Sequence, residues 1–401
     1  MKSKAIGIFL FILLSINSAR IYSQDQINAI QTAVPFLTIA PDSRAGAMGD
    51  AGVATSPDIF SMHWNPAKLV FIDGKGGAGI SYLPWLRALV PDINIAYLTG
   101  YYRIDTKQVV SGSLLYSSLG VIPFTNEFGD LQNDFTPTEW AFDLGYSRLF
   151  SEHFSGGLAF RFIYSNLTGG IYAGGIPTKA GISFAADLSG YYHRNITIAN
   201  RSGVFALGLN FSNIGSKMNY TESGTADFIP MNLKLGASGT INLDSYNKLT
   251  LAIDLNKMLV PTSPIYYMPG EITGNGDTVK VAKSVVKRGK DPNVSVPIAI
   301  FQSFYDAPGG FKEEMKEIAY SFGLEYWYNN QFALRTGYYH ESRIKGNRKY
   351  FTVGAGFKMN IFALDFSYLL PLAQELPLAR TLRFSMSFDF NSFKKASKKS
   401  K

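Results

Sequence analysis

The sequence predicts an all-β membrane protein: a closed antiparallel outer-membrane barrel of about fourteen strands. Three observations carry that expectation. Long stretches alternate apolar and polar residues with period two. Charged residues make up only 17% of the chain, while it holds 38 Gly, 30 Phe and 23 Tyr, a balance that suits strands needing lipid-facing side chains at every second position. The N-terminus reads as an export signal, with Lys2 and Lys4 before an apolar run from Ala5 to Ile16 and cleavage expected after Ala19 or Ser23. That run is too short to span a bilayer, and no later stretch supplies the ~20 apolar residues of a membrane helix.

The alternation is clearest in the last strand. Leu382, Phe384, Met386, Phe388 and Phe390 fall on one face, and Arg383, Ser385, Ser387 and Asp389 on the other. Leu158, Phe160 and Phe162 likewise enclose Ala159 and Arg161. Strands are expected near 76–85, 93–104, 108–120, 138–150, 153–168, 180–196, 201–214, 228–243, 247–258, 317–328, 332–342, 348–359, 362–371 and 380–390. An even count puts both termini on the periplasmic side. Tyr82, Trp85, Tyr101, Tyr102, Tyr326 and Tyr328 sit near strand ends, where membrane girdles form. A soluble sandwich or propeller fits less well, because its strands average only ~5–6 residues.

The net charge of +8 suggests nucleic acid until it is located. Lys2, Lys4 and Arg20 belong to the leader, and Lys394, Lys395, Lys398, Lys399 and Lys401 to a basic tail over 391–401. The body between them is neutral, which excludes a nucleic-acid face. The polar strand face mixes signs, as in Asp143, Arg161, Asp254, Glu325, Arg335 and Arg383, and reads as a lumen laced with salt bridges rather than a charge-selective pore.

Chemistry has little to stand on. Cysteine is absent, which removes thiolate metal sites, disulfides and cysteine nucleophiles. The four histidines, His63, His153, His193 and His340, have no metal-ligand spacing. Gly74, Gly76 and Gly79 match a dinucleotide pattern but precede a strand instead of opening a helix. No cofactor, metal or catalytic residue is expected.

Two irregular stretches interrupt the rhythm. Residues 24–75 are rich in Ala, Gly, Pro and Asp and read as turns and short helices. Residues 260–316 form a long loop, on the outer side if the N-terminus is periplasmic. It carries the basic run Lys280, Lys283, Lys287, Arg288 and Lys290, then an apolar stretch from Val296 to Tyr305. A short amphipathic helix is expected after Gly309-Gly310, with Phe311, Met315 and Ile318 on one face. Phe301, Phe304, Tyr305, Phe311, Met315, Lys287 and Arg288 are the candidate partner-binding residues.

The run from Ala40 to Ala54, containing Asp42, Arg44 and Gly46-Ala47-Met48-Gly49-Asp50, is followed by His63-Trp64-Asn65-Pro66-Ala67-Lys68. Together with Asp306-Ala307-Pro308-Gly309-Gly310-Phe311-Lys312-Glu313-Glu314 it resembles the PorV (LptO) family, through the whole mature chain. The resemblance implies a FadL-like fourteen-stranded barrel with residues 24–75 held in the lumen as a hatch. It implies a non-enzymatic role in type IX secretion. The barrel would receive cargo through C-terminal signal domains at the SprA (Sov) translocon and deliver it to the attachment complex, where the PorU peptidase removes the signal. Asp42, Arg44, Asn65 and Pro66 are the hatch-motif residues, with Asn65-Pro66 read as a turn that anchors the hatch. Two alternatives stand beside this role. One is a FadL-type transporter of long-chain fatty acids or other hydrophobic molecules. The other is a structural or adhesive protein whose Lys287, Arg288 and Lys290 dock on lipopolysaccharide phosphates.

Overall fold

The computed structural model describes residues 27–85, 92–125, 130–170, 172–173, 176–222, 224–282, 285–359, 361–372 and 381–390. The expected leader and the lysine tail lie outside these residues. Fourteen strands close into one antiparallel barrel. In chain order they are β1 Gly76–Pro84, β2 Ile93–Arg103, β3 Gln108–Leu119, β4 Thr138–Ser151, β5 Phe154–Asn166, β6 Gly181–Ile198 and β7 Arg201–Gly215. There follow β8 Asn232–Asn242, β9 Asn247–Met258, β10 Ile318–Tyr328, β11 Phe332–His340, β12 Lys349–Lys358, β13 Phe362–Pro371 and β14 Leu382–Asp389. Closure is made by β1 against β14, with Gly77 opposite Asp389 and Tyr82 opposite Phe384.

The strands form where the period-two pattern places them because each has one face for lipid and one for the interior. On β5, Leu158 and Phe160 are 58% and 68% exposed, while Ala159 and Arg161 between them are 3% and 6%. On β14, Phe384 and Met386 point outward and Arg383 and Ser385 are buried. Of the expected girdle, Tyr82, Tyr102 and Tyr328 are outward. Tyr101 is turned inward and buried, because successive residues of a strand cannot share a face. β8 begins at Asn232, later than expected; Pro230 just before it has no amide hydrogen for a ladder. No described helix is long and apolar enough to cross a membrane.

The two rims differ. Among the described residues, connections 104–107, 152–153, 199–200, 243–246 and 329–331 are short turns. Ala199 and Asn200 both have positive φ (49° and 62°), the two-residue turn whose twist matches a hairpin. The opposite rim carries every long connection, including small hairpins at Ile122–Thr125 with Leu131–Phe135 and at Ile265–Tyr266 with Val286–Arg288.

Residues 33–72 run through the ring and are hydrogen-bonded by inward side chains from all round it. Ser81 of β1 donates to the Pro41 carbonyl at 2.6 Å, Ser147 of β4 to Pro66 at 2.7 Å, Ser155 of β5 to Ala67 at 2.6 Å, and Ser238 of β8 to Ala54 at 2.6 Å. Asp254 of β9 accepts from the amides of Gly52 and Val53 at 2.7 and 2.9 Å. A segment with little secondary structure needs such partners when buried. The chain enters this path at the long-loop rim, where the Asn28 amide bonds the Ile344 carbonyl, and leaves it at β1 on the short-turn rim. The described N-terminal end and the end of β14 therefore lie at opposite rims; the termini themselves lie outside the described residues. Strand parity fixes only where the barrel's own first and last strands start and stop.

Two groups of buried charges are paired in the interior. Arg335 bonds Glu325 at 2.7 Å and Asp365 at 2.6 Å, and Glu325 also receives Arg44 at 2.8 Å. Arg161 joins Asp143 at 2.6 Å and Asp187 at 3.2 Å. A bulge between Ala186 and Leu188 sets Asp187 beneath the Asn213 amide, 2.7 Å away.

Two substitutions check this interior. Glu325→Gln leaves two buried guanidiniums without their shared carboxylate and is expected to cost about 3–5 kcal/mol of stability. A Cβ on Gly337 would lie 2.0 Å from the Gly49 amide nitrogen, so Gly337→Ala forces the threaded segment off β11 and is expected to cost about 1–3 kcal/mol. Both are read as a lowered transition temperature for heat-modifiable gel mobility; unchanged transitions would contradict the packing.

Candidate functional site

The four hatch-motif residues are engaged by internal bonds. Asp42 caps the short helix Ser43–Gly46, accepting from the Ala45 amide at 2.9 Å, and its other oxygen takes the Trp64 indole N–H at 2.6 Å. Arg44 divides its guanidinium among Glu325, Asp58 and Ser56. The Asn65 amide group donates to the carbonyls of Val53 and Gly190, both at 3.0 Å, and its oxygen accepts from Ala67. Pro66 opens the 3₁₀ turn Pro66–Phe71, where its missing N–H costs nothing. These side chains fix the path of the chain and present no free group to a partner.

The long connection between β9 and β10 is organised differently. It folds into two helices, Val296–Gln302 and Phe311–Lys316. The second was expected, though Ile318 starts β10 rather than extending its face. The first was read only as an apolar stretch; Ser295 followed by Pro297 is the start signal that marks it.

The inner side of this loop is a charge network. Lys257 of β9 bonds Glu317 at 2.7 Å and Glu314 at 3.2 Å. Lys345, from the loop between β11 and β12, bonds Glu313 at 2.6 Å and Glu317 at 2.9 Å. Glu314 also takes the Ala307 amide at 2.8 Å, and Asp306 takes the Thr262 amide at 3.1 Å. The Asp306-to-Glu314 motif thus clamps the loop to its own rim. Burial, with Glu314 and Glu317 nearby, pushes the Asp306 carboxyl up to about 7.

The outer side is apolar. Phe301 is 71% exposed and Phe311 77%, with Phe304, Tyr305 and Met315 also exposed. Lys290 lies 3.8 Å over the Tyr305 ring and Lys257 5.5 Å over Phe304, which orients both rings. The basic run does not act as one patch. Lys287 pairs with Glu271 at 2.8 Å and stands over Tyr267, while Arg288 closes the small hairpin and faces elsewhere. Lys283 lies outside the described residues. The aromatic candidates are therefore exposed side chains of one loop, which ion pairs tie to the barrel rim.

The Asp306 position gives a pH test. Its folded value is above the usual carboxylate range, so the folded loop binds more protons and its stability falls as pH rises from about 4 through about 7. Amide exchange at Thr262, corrected for intrinsic rate, is expected to be slower at pH 5 than at pH 8. Asp306→Asn should flatten that difference; an unaltered pH dependence in the variant would contradict the assignment.

Comparison with known proteins comes to three findings. No curated protein matches the chain. Solved structures similar to it include the Pseudomonas putida toluene transporter TodX, at 12% identity and TM-score 0.47, covering 90% of this chain and 98% of that one. The Ralstonia pickettii toluene transporter TbuX has 9% identity and TM-score 0.42, covering 86% and 96%. A Pseudomonas aeruginosa FadL homologue has 10% identity and TM-score 0.41, covering 90% and 99%. The family model for type IX secretion system protein PorV matches residues 22–265, more than half of the sequence. With a closed barrel whose outer face is apolar all round, this chain is an outer-membrane protein that belongs to the PorV family of the type IX secretion system.

Proposed function

We propose that this barrel is a non-enzymatic carrier that holds secreted proteins at its long-loop rim. In outer-membrane barrels short turns face the periplasm and longer loops the exterior, so the β9–β10 loop stands outside the cell. Cargo arrives through its C-terminal signal domain at the SprA (Sov) translocon, and the barrel passes it to the PorU-containing attachment complex. The observation that carries this reading is the aromatic surface of Phe301, Phe304, Tyr305, Phe311 and Met315 on a loop clamped by Lys257 and Lys345. Large aromatic side chains that are exposed yet pre-positioned are what binding hot spots are made of. The interior supports the same division of labour, because the threaded segment spends its polar groups on the barrel wall.

A FadL-type transporter of hydrophobic molecules is the second reading. It would use a cavity of about 660 Å³ at the short-turn rim, between the threaded segment and the strands. Phe60, Phe71, Tyr101, Tyr191 and Trp327 line it, but so do Arg44, Asp58 and Arg335, and that charge suits an apolar cargo poorly.

Phe301→Ser with Phe311→Ser removes two exposed rings and no internal bond. Co-purification of cargo and of a very large barrel partner in mild detergent is expected to fall about tenfold or more, with heat-modifiable mobility unchanged. Deleting residues 280–311 should abolish it; cargo retained by a folded deletion variant contradicts the reading.

A further inference from the structure

β6 outruns its neighbour at the short-turn rim. It pairs with β5 as far as Tyr192, opposite Phe154, while its pairing with β7 continues to Ile198, opposite Arg201. The β4–β5 hairpin turns back at Glu152-His153, so β5 does not run alongside residues 194–198. Ile198 and Arg201 flank a two-residue turn and form a hydrogen-bonded pair. Alternate residues, Arg194 and Ile196, therefore bond β7, and those between them turn their main-chain N–H and C=O the other way. His193 follows that rule: its amide donates to the His153 carbonyl at 2.9 Å. Asn195 and Thr197 come next, and their main-chain groups on this side have no partner among the described residues.

The edge is already shaped for pairing. Ala199 and Asn200, both at positive φ, hold the hairpin in the twist of a sheet. Between His193 and Ile198 there is neither a proline nor a register shift, two of the devices that keep strand edges from pairing. Alternation gives the edge two faces. Arg194, Ile196 and Ile198 point outward, on the side of Leu188, and Arg194 makes no ion pair among the described residues. Asn195 and Thr197 point inward, where Asn195 lines the cavity at this rim. At the foot of the edge the exposed rings of Phe150 and Phe154 stack at 5.9 Å.

We propose that this open edge takes a further strand from a periplasmic protein. The occupant is an extended segment with an acidic side chain to face Arg194 and, two residues on, an apolar one to cover Ile196. Main-chain bonds to Asn195 and Thr197 set its register, and the alternate side chains select it. Residues 194–198 extend about 17 Å at the rise of a strand, which is the length of a short strand in a globular protein. Short turns of outer-membrane barrels face the periplasm, so the partner comes from that compartment. The inference stands apart from the proposed cargo surface, which lies at the opposite rim.

A photoreactive residue placed at Asn195 or at Thr197 of the full-length protein in living cells tests this, with the adducts mapped by peptide mass spectrometry. Both positions are expected to label one periplasmic segment, at residues two apart. Thr197→Pro, read from position 195, removes an N–H that does not bond β7 and is expected to lower the adduct yield about fivefold or more. Thr197→Ala keeps that N–H and the yield. Arg194→Glu lowers the yield to a similar degree without touching the main chain. Heat-modifiable mobility reports that each variant is folded. Adducts to a second copy of this barrel overturn the proposal. So do adducts at scattered positions of a partner, a yield that neither Thr197→Pro nor Arg194→Glu lowers, or the absence of adducts from both positions.

Discussion

A chain that crosses a bilayer must satisfy every backbone N–H and C=O within itself, and here the pairing of β1 with β14 completes that requirement. Closure decides the rest. It turns one face of every strand to lipid and the other to a lumen filled largely by the threaded segment, so the side chains of the inner face find many of their partners there. Serines, Asp254, Glu325 and Arg335 find them in the threaded segment and in one another. The segment in turn needs those side chains, because its short helical turns, such as Ser43–Gly46 and Ser61–Trp64, leave many of its amides and carbonyls without internal partners.

The same logic separates the interior from the loop that carries the candidate contact surface. Inside, many polar groups meet complementary partners, as Glu325 does with Arg44 and Arg335. At the long-loop rim the ion pairs of Lys257 and Lys345 lie behind the loop, and aromatic rings lie in front of it. Rigid placement of exposed rings is a costly use of apolar surface unless something covers them. Membership of the PorV family gives that surface a context in type IX secretion.

Much of this architecture was legible in the sequence because period two is a local signal. Leu158, Arg161, Arg383 and Phe384 could be assigned to faces from their neighbours alone. Tyr101 and Tyr102 could not both be girdle residues, and the pleat that decides between them was already implicit in their adjacency. The course of residues 33–72 was not legible beyond the family resemblance. It depends on bonds such as Ser43 to Ser385, which join opposite ends of the chain. The clamp behind the loop was hidden for the same reason: Lys257, Lys345 and Glu317 lie far apart in sequence, and each is an ordinary charge until the strands bring them together. The surroundings of the basic run were not legible either. Lys287 pairs with Glu271, sixteen residues away, and alternation along Val286–Arg288 sends Lys287 and Arg288 to different sides.

On the proposed function, partners meet this barrel at the long-loop rim through its exposed aromatic residues. Site-specific photo-crosslinking in living cells tests it most directly, with a photoreactive residue placed at Phe301 or Phe311 and, in parallel, at Lys107 and Asn200 on the short-turn rim. Adducts to a very large outer-membrane protein or to cargo bearing the secretion signal are expected from Phe301 and Phe311 only. Adducts to those proteins arising solely from Lys107 and Asn200 would contradict it.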